Sequence, residues 1–157
     1  MDPMKSNQLK DQIREVILTD FAGIMKTPGS TIGKFILIAA GIEFLGACLD
    51  RQHLNATARS EKRFNSAIVK LFPKKYHHFV KKESVPNLYF DFRCPIVHQF
   101  KPGKSVVLYS DNKAENGGFR HLTYNVEGSL ILVAEEFYRD LASAGLEFIR
   151  RIDSKEF

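Results

Sequence analysis

Leu88-Tyr-Phe-Asp-Phe-Arg-Cys-Pro-Ile-Val-His-Gln-Phe100 places Arg93 and His98 five positions apart inside an aromatic and aliphatic run. Leu88, Phe92, Val97 and Phe100 are spaced to face a core, which predicts a helix, and Pro95 predicts a kink or restart because it brings no backbone N–H. A fixed cation and an imidazole amid hydrophobes invite a chemical reading. Arg suits planar anion recognition, and His is the side chain that exchanges protons near neutral pH. The plainer reading is a pair of polar residues whose heads reach solvent or internal partners. On an ideal helix, five positions turn through roughly 140°, so a straight helix would not put the two side chains on one face. With nine Arg and five His in the chain, about 0.3 such spacings arise by chance, so the surroundings must supply the specificity.

Those surroundings are mostly helical in period. Leu9, Ile13, Val16, Ile17, Phe21 and Ile24 recur every three or four positions among charged residues, the pattern of an amphipathic helix. Thr27-Pro-Gly-Ser breaks it, with Ser30 or Thr31 available as the next cap. Phe35 to Leu49 is apolar nearly all round, too short to span a bilayer comfortably, and interrupted by Glu43, so it reads as a central core helix. Its Ala39, Ala40, Gly41, Gly46 and Ala47 permit close approach of neighbouring helices, or of a partner's helix.

After a polar connection through Asn55 and Thr57, the segment from Ser60 reads as a third helix, with Phe64, Ile68 and Leu71 on one side and Pro73 closing it. A helical turn or two around Tyr76 to Val80 follows. Two short β-type runs, Ser105 to Tyr109 and His121 to Val126, flank a polar stretch containing an Asn116-Gly117-Gly118 turn. From Leu130 through Ala134, Phe137, Leu141, Ala144 and Phe148 to Ile152 the spacing is helical again. The expected fold is all-α (mainly α): an up-and-down bundle of four to five helices with an inserted β-hairpin around 105–126, one domain over residues 1–157.

Composition sets broad limits. The 157 residues suffice for a real core, and 44% hydrophobic with 26% charged residues is ordinary for a globular protein. Cys48 and Cys94 sit in apolar contexts without a Cys/His cluster, reading as buried thiols in a reducing compartment and arguing against structural zinc. The start of the chain leads into a charged helix without the apolar core of a signal peptide, so the expected location is cytoplasmic, with no membrane partner. Between Lys62 and Lys82 stand seven basic residues and no acid. Such a surface suits an anionic polymer, or is simply solvated lysine. His77-His78 point about 100° apart with no third ligand nearby, so no metal site is assigned. No cofactor is expected, and no serine or cysteine nucleophile has a visible elbow or base.

The run Ile-Glu-Phe-Leu-Gly (42–46), then Arg63-Phe64 opening a helix that ends Leu-Phe-Pro before Tyr76, then Leu-Tyr-Phe-Asp-Phe-Arg-Cys-Pro-Ile-Val-His, resembles the HEPN superfamily of small helical-bundle domains. The resemblance covers roughly residues 30–102. RNA-cleaving members carry Arg, four to six residues, then His, often with Asn first in the spacer. Here Cys94 takes that place and Pro95 follows it. The resemblance implies a metal-independent endoribonuclease acting as a homodimer, with the two Arg/His pairs at the subunit interface. In that implied site His98 transfers protons and Arg93 holds the scissile phosphate. Glu43 and Asp91 are the expected supports, either one orienting His98 or locking Arg93. Lys101 and Lys104, with Arg63, Lys74 and Lys75 from the basic stretch, are the expected nucleic-acid contacts. Asp50, ending the apolar run, is expected to be exposed. RNA or a nucleotide is the expected ligand, and an antitoxin or another protein is a further candidate partner. The alternative is a noncatalytic helical dimerisation module, or a nucleotide- or small-molecule-binding one, in which Arg93 and His98 are structural.

Overall fold

A computed structural model describes residues 3–50, 56, 58–110 and 118–156. The connection at Asn55 and Thr57 and the turn at Asn116 and Gly117 lie outside these. The first helix, α1, covers residues 3–25. Its middle, Ile13–Asp20, winds in wider π-type turns between α-helical ends at Pro3–Gln12 and Phe21–Met25. Ile13, Ile17, Phe21 and Met25 form its buried stripe. Gly29 and Ser30 then adopt left-handed backbone, and α2 runs over Thr31–Leu49. The expected hydroxyl cap is not made: Thr31 Oγ1 pairs with Ser110 Oγ at 2.9 Å instead.

α2 is the core helix its composition predicts. It alone is long and apolar enough, among the described residues, to pass as a membrane span, and more than half of it is buried within the fold. Glycine lets α3 (Ser60–Leu71) lie directly on it. A Cβ built on Gly46 would stand 1.9 Å from the carbonyl oxygen of Arg63, so only a residue without a side chain fits.

The 3-10 turn Lys74–Val80 follows α3 and buries Tyr76 and Phe79. The next helix, α4 (residues 88–99), is the predicted motif helix. It opens with wide turns over Leu88–Arg93 and continues as α-helix over Cys94–Gln99. Where a kink or restart at Pro95 is expected, wide turns give way to α-helix between Arg93 and Cys94, both in ordinary right-handed helical backbone. The last helix, α5 (Ala134–Asp153), buries Phe137, Leu141, Ala144 and Phe148 on the stripe its spacing predicts. Phe137 is the aromatic hub. Its ring stacks on Tyr76 at 5.3 Å and meets Phe92 at 5.6 Å and Phe72 at 6.3 Å, while Phe92 in turn packs edge-on against Phe35 at 5.8 Å.

The β region differs from expectation. Strands β1 (Val106–Tyr109), β2 (Thr123–Tyr124) and β3 (Leu130–Val133) form one sheet in the order β1-β3-β2. β1 does not pair with β2, so the hairpin expected around 105–126 is corrected. β3 lies between them, parallel to β1 in the register Val106 to Leu130 and antiparallel to β2 in the register Thr123 to Ile131. Leu130 had fitted the spacing of the last helix, but Leu-Ile-Leu-Val is apolar on both faces of an extended chain, as a central strand must be. Leu130 and Leu132 join the helical core. Ile131 and Val133 face a smaller cluster with Tyr109 and Phe119, whose rings stack at 4.1 Å. The molecule is mainly helical with a small three-stranded sheet.

Candidate functional site

Asn87 starts the motif helix. Its side-chain oxygen accepts the N–H groups of Tyr89 (2.9 Å) and Phe90 (3.2 Å), while its own N–H donates to the Asp91 carboxylate at 2.7 Å. This reciprocal cap satisfies donors that a helix start otherwise leaves open. It also settles the place of Asp91, whose carboxylate holds the helix end, whereas the carboxylate on Arg93 is that of Glu43.

At the other end Pro95 brings no N–H to the preceding turn. The carbonyl of Asp91, four residues earlier, accepts the N–H of Gly103 at 2.8 Å. A Cβ on Gly103 would stand 2.8 Å from that same oxygen. The loop after α4 is therefore folded back against it, keeping the exposed Lys101 and Lys104 beside the motif helix.

Arg93 leaves α4 toward α2. Its Nε donates to Glu43 Oε2 at 2.8 Å, and Nη2 lies 2.5 Å from the same oxygen. The other Glu43 oxygen accepts the Ser60 hydroxyl at 2.6 Å. One carboxylate thus ties together α2, the start of α3 and α4. The guanidinium lies over the Tyr89 ring, 5.6 Å from its centroid. Burial, and next the Cys94 thiol hydrogen-bonded to it, push the Tyr89 phenol above its ordinary pKa, against the pull of Arg93.

The remaining nitrogen, Nη1, reaches His98 Nε2 at 3.4 Å, a long contact. A guanidinium only donates, so the imidazole accepts at Nε2 and carries its proton on Nδ1 in this arrangement. The stretch between the two positions is ordinary α-helix, and it is the reach of the long Arg93 side chain that spans the angle separating them. His98 is exposed, while the Arg93 side chain is only 13% exposed.

The other candidates divide. Lys74 and Lys75 are exposed, with Lys75 Nζ 2.6 Å from Asp140 Oδ2. Arg63 is 5% exposed, and its Nε donates to Asp50 Oδ2 at 2.7 Å. This corrects two expectations. Arg63 is a buried strut and no part of a basic surface, and Asp50, its side chain 10% exposed, is its partner. Burial, reinforced by Asp50, pushes the Cys48 thiol up to about 12, which keeps it protonated and unreactive. Cys94 is half-buried. His78 is exposed, and His77 Nε2 contacts the Phe72 carbonyl at 3.2 Å. Among the described residues no three His, Cys, Asp or Glu side chains gather as metal ligands would.

A second polar cluster escaped the sequence reading. His121 Nδ1 accepts the Val133 N–H at 2.9 Å, which leaves Nε2 protonated and donating to the Tyr76 hydroxyl at 2.7 Å. That hydroxyl donates to Asp140 Oδ2 at 2.7 Å, where Lys75 also binds. Burial, then Lys75, lowers the His121 pKa to about 3 against the opposing pull of Asp140, and burial drives Tyr76 far upward. The directed chain joins the sheet, the 3-10 turn and α5. Lys34, fully buried on α2, pairs with Glu135 of α5 at 3.2 Å. Spacing in sequence gives no sign of these pairings, though a lysine in an apolar helix demands an anion.

These sites sit in a mainly helical protein with a small mixed sheet, in which an Arg/His pair stands on a helix braced from the core. Family models, characterised proteins and solved structures give no match to the chain.

Proposed function

We propose that the chain is a HEPN-like, metal-independent endoribonuclease, built on an up-and-down bundle of four to five helices and acting in the cytoplasm as a homodimer through Arg93 and His98. The observation that carries this reading is the convergence of an anchored guanidinium and an exposed imidazole, Nη1 to Nε2 at 3.4 Å, on one helix. Glu43 holds one edge of Arg93 and leaves Nη1 beside His98.

The chemistry needs no external reagent. A base takes the proton of a ribose 2′-hydroxyl as its oxygen bonds to phosphorus; the bond from phosphorus to the 5′-oxygen breaks, and an acid protonates that oxygen. The products are a 2′,3′-cyclic phosphate and a 5′-hydroxyl. Two His98 side chains in a two-fold dimer supply base and acid, and Arg93 stabilises the charge growing on the phosphoryl oxygens. Lys101 and Lys104, with Lys74 and Lys75, attract the flanking phosphates.

The second reading, a noncatalytic dimerisation or nucleotide- or small-molecule-binding module, is favoured by the occupancy of Arg93. Two of its nitrogens are committed to Glu43 and its face to Tyr89. Purified protein incubated with RNA in EDTA separates the two. The ribonuclease cuts, and His98→Ala abolishes cutting while circular dichroism and the unfolding midpoint stay as in wild type. Absence of cleavage, or cleavage equal in the variant, leaves the structural module.

A further inference from the structure

Two large aromatic side chains on the motif segment are turned out of the core. Phe90 is 54% exposed and Phe100 is 67% exposed. Phe90 precedes Arg93 on α4. Its ring packs edge-on against Tyr89 with centroids 5.2 Å apart, and the Tyr89 ring in turn lies 5.6 Å from the Arg93 guanidinium carbon. The exposed ring is thus tethered within roughly 11 Å of that guanidinium, the span of a nucleotide or two in a strand that stacks its bases on a protein surface. Phe100 follows the pair in sequence, two residues after His98 and therefore no more than about 7 Å from it along the backbone. It ends the helix with φ of 55°, a left-handed conformation that glycine or asparagine takes without cost and phenylalanine does not. The helix end holds an aromatic residue in an unfavourable conformation and presents it to solvent beside Lys101.

We infer that Phe90 and Phe100 are stacking platforms for unpaired nucleobases of the strand whose phosphate is held at Arg93 and His98. This rests on the ribonuclease reading above and adds what that reading leaves open. The choice of occupant follows from charge. In sequence the rings are interleaved with the cations Arg93 and Lys101, and aromatic faces among cations suit a polyanion whose bases are free to stack. A duplex keeps its bases inside its own stack and offers these rings nothing.

Anisotropy titrations with a fluorescein-labelled, unstructured 2′-O-methyl RNA strand, which lacks the attacking hydroxyl and stays uncut, and with the blunt 2′-O-methyl duplex of the same sequence, test the inference on the full chain. Phe90→Leu and Phe100→Leu keep apolar bulk without an aromatic face, and Phe90→Trp and Phe100→Trp keep the face. Each Leu variant is expected to bind the single strand about 5- to 100-fold more weakly, with each Trp variant within about 3-fold of wild type. Duplex binding, weaker from the start, stays unchanged throughout. Sedimentation and circular dichroism on every variant check assembly and fold. Leu variants that bind the single strand like wild type overturn the stacking role and leave the Arg93/His98 reading standing. Leu variants that bind normally per folded dimer but dissociate into monomers assign the rings to contact between copies, which also overturns it. Wild-type protein that binds neither RNA overturns this inference and removes the ribonuclease reading with it, an outcome visible before any variant is made.

Discussion

Glu43 and Arg93, fifty residues apart, share an ion pair in which one carboxylate oxygen receives two guanidinium nitrogens and the other receives the Ser60 hydroxyl. The pair is partly withdrawn from water, with side chains 21% and 13% exposed. Removing one partner strands a charge in poorly solvated surroundings, while removing both does not. Glu43→Ala and Arg93→Ala are each expected to cost roughly 1–3 kcal/mol, less than a fully buried pair because solvent reaches both groups. The double variant should lose less than the two single losses together. Urea unfolding of the four proteins measures the coupling, and strict additivity would show the pair to be energetically idle.

Ser60 acts on Arg93 through Glu43. Ser60→Ala leaves the carboxylate free to rotate, so the guanidinium is less well fixed while its charge remains. If the proposed activity is present, kcat for RNA cleavage should fall several-fold with KM little changed, since the binding charge persists and only its placement suffers. Ser60→Thr, which keeps the hydroxyl, should restore it. A fall confined to KM would mean that Ser60 serves binding alone.

The Gly103 N–H and the Asp91 carbonyl replace the hydrogen bond that Pro95 cannot make. Gly103→Ala puts a methyl group 2.8 Å from that oxygen, so the loop must retreat. The expected cost is about 1–3 kcal/mol, together with a shift of Lys101 and Lys104 away from α4. Amide exchange at Gly103 should accelerate strongly in the variant. Unchanged protection would show that the loop is held by something else.

The outer helices were legible because their apolar residues repeat at helical spacing and bury one stripe, as Phe137, Leu141, Ala144 and Phe148 do, and α2 because it is apolar nearly all round. Glu43 was legible for a different reason: a carboxylate in an apolar helix requires a cation, and the motif helix offered one. β3 was misread because Leu130 stands four residues before Ala134 and continues the period of α5, although the run it opens is buried on both faces. Arg63 was misread because a charge in a basic stretch looks like surface. Its burial depends on Gly46 letting two helices meet, which makes Asp50 its neighbour. The Tyr76, His121 and Asp140 chain joins residues 45 and 64 positions apart, and no local pattern encodes such contacts.

Gly46→Ala tests the helix contact directly. Its Cβ would fall 1.9 Å from a backbone carbonyl of α3, and backbone cannot step aside as a flexible side chain can. The loss should reach or exceed roughly 3 kcal/mol. Gly23→Ala, a glycine on α1 with nothing within 4 Å of the added carbon, should be neutral or stabilising. Thermal unfolding of both variants makes the comparison, and equal midpoints would contradict the close approach of α2 and α3.

His121 makes stability depend on pH in a definite direction. Its folded pKa is about 3, against 6.5 as its ordinary value, because burial and then Lys75 disfavour the imidazolium more than Asp140 favours it. Protonation at Nδ1 would also cost the hydrogen bond from the Val133 N–H. The unfolded chain therefore takes up a proton that the folded one refuses. The contribution is fully present above pH 6.5 and is lost progressively as pH falls from there toward 3, amounting to a few kcal/mol, on the order of 1.4 kcal/mol for each pH unit crossed. Urea midpoints measured from pH 7.5 downward should decline over this window. His121→Gln, less stable at neutral pH for want of the full hydrogen-bond chain, should show a shallower decline. An equally steep fall in the variant would assign the acid sensitivity to the carboxylates and acquit the imidazole.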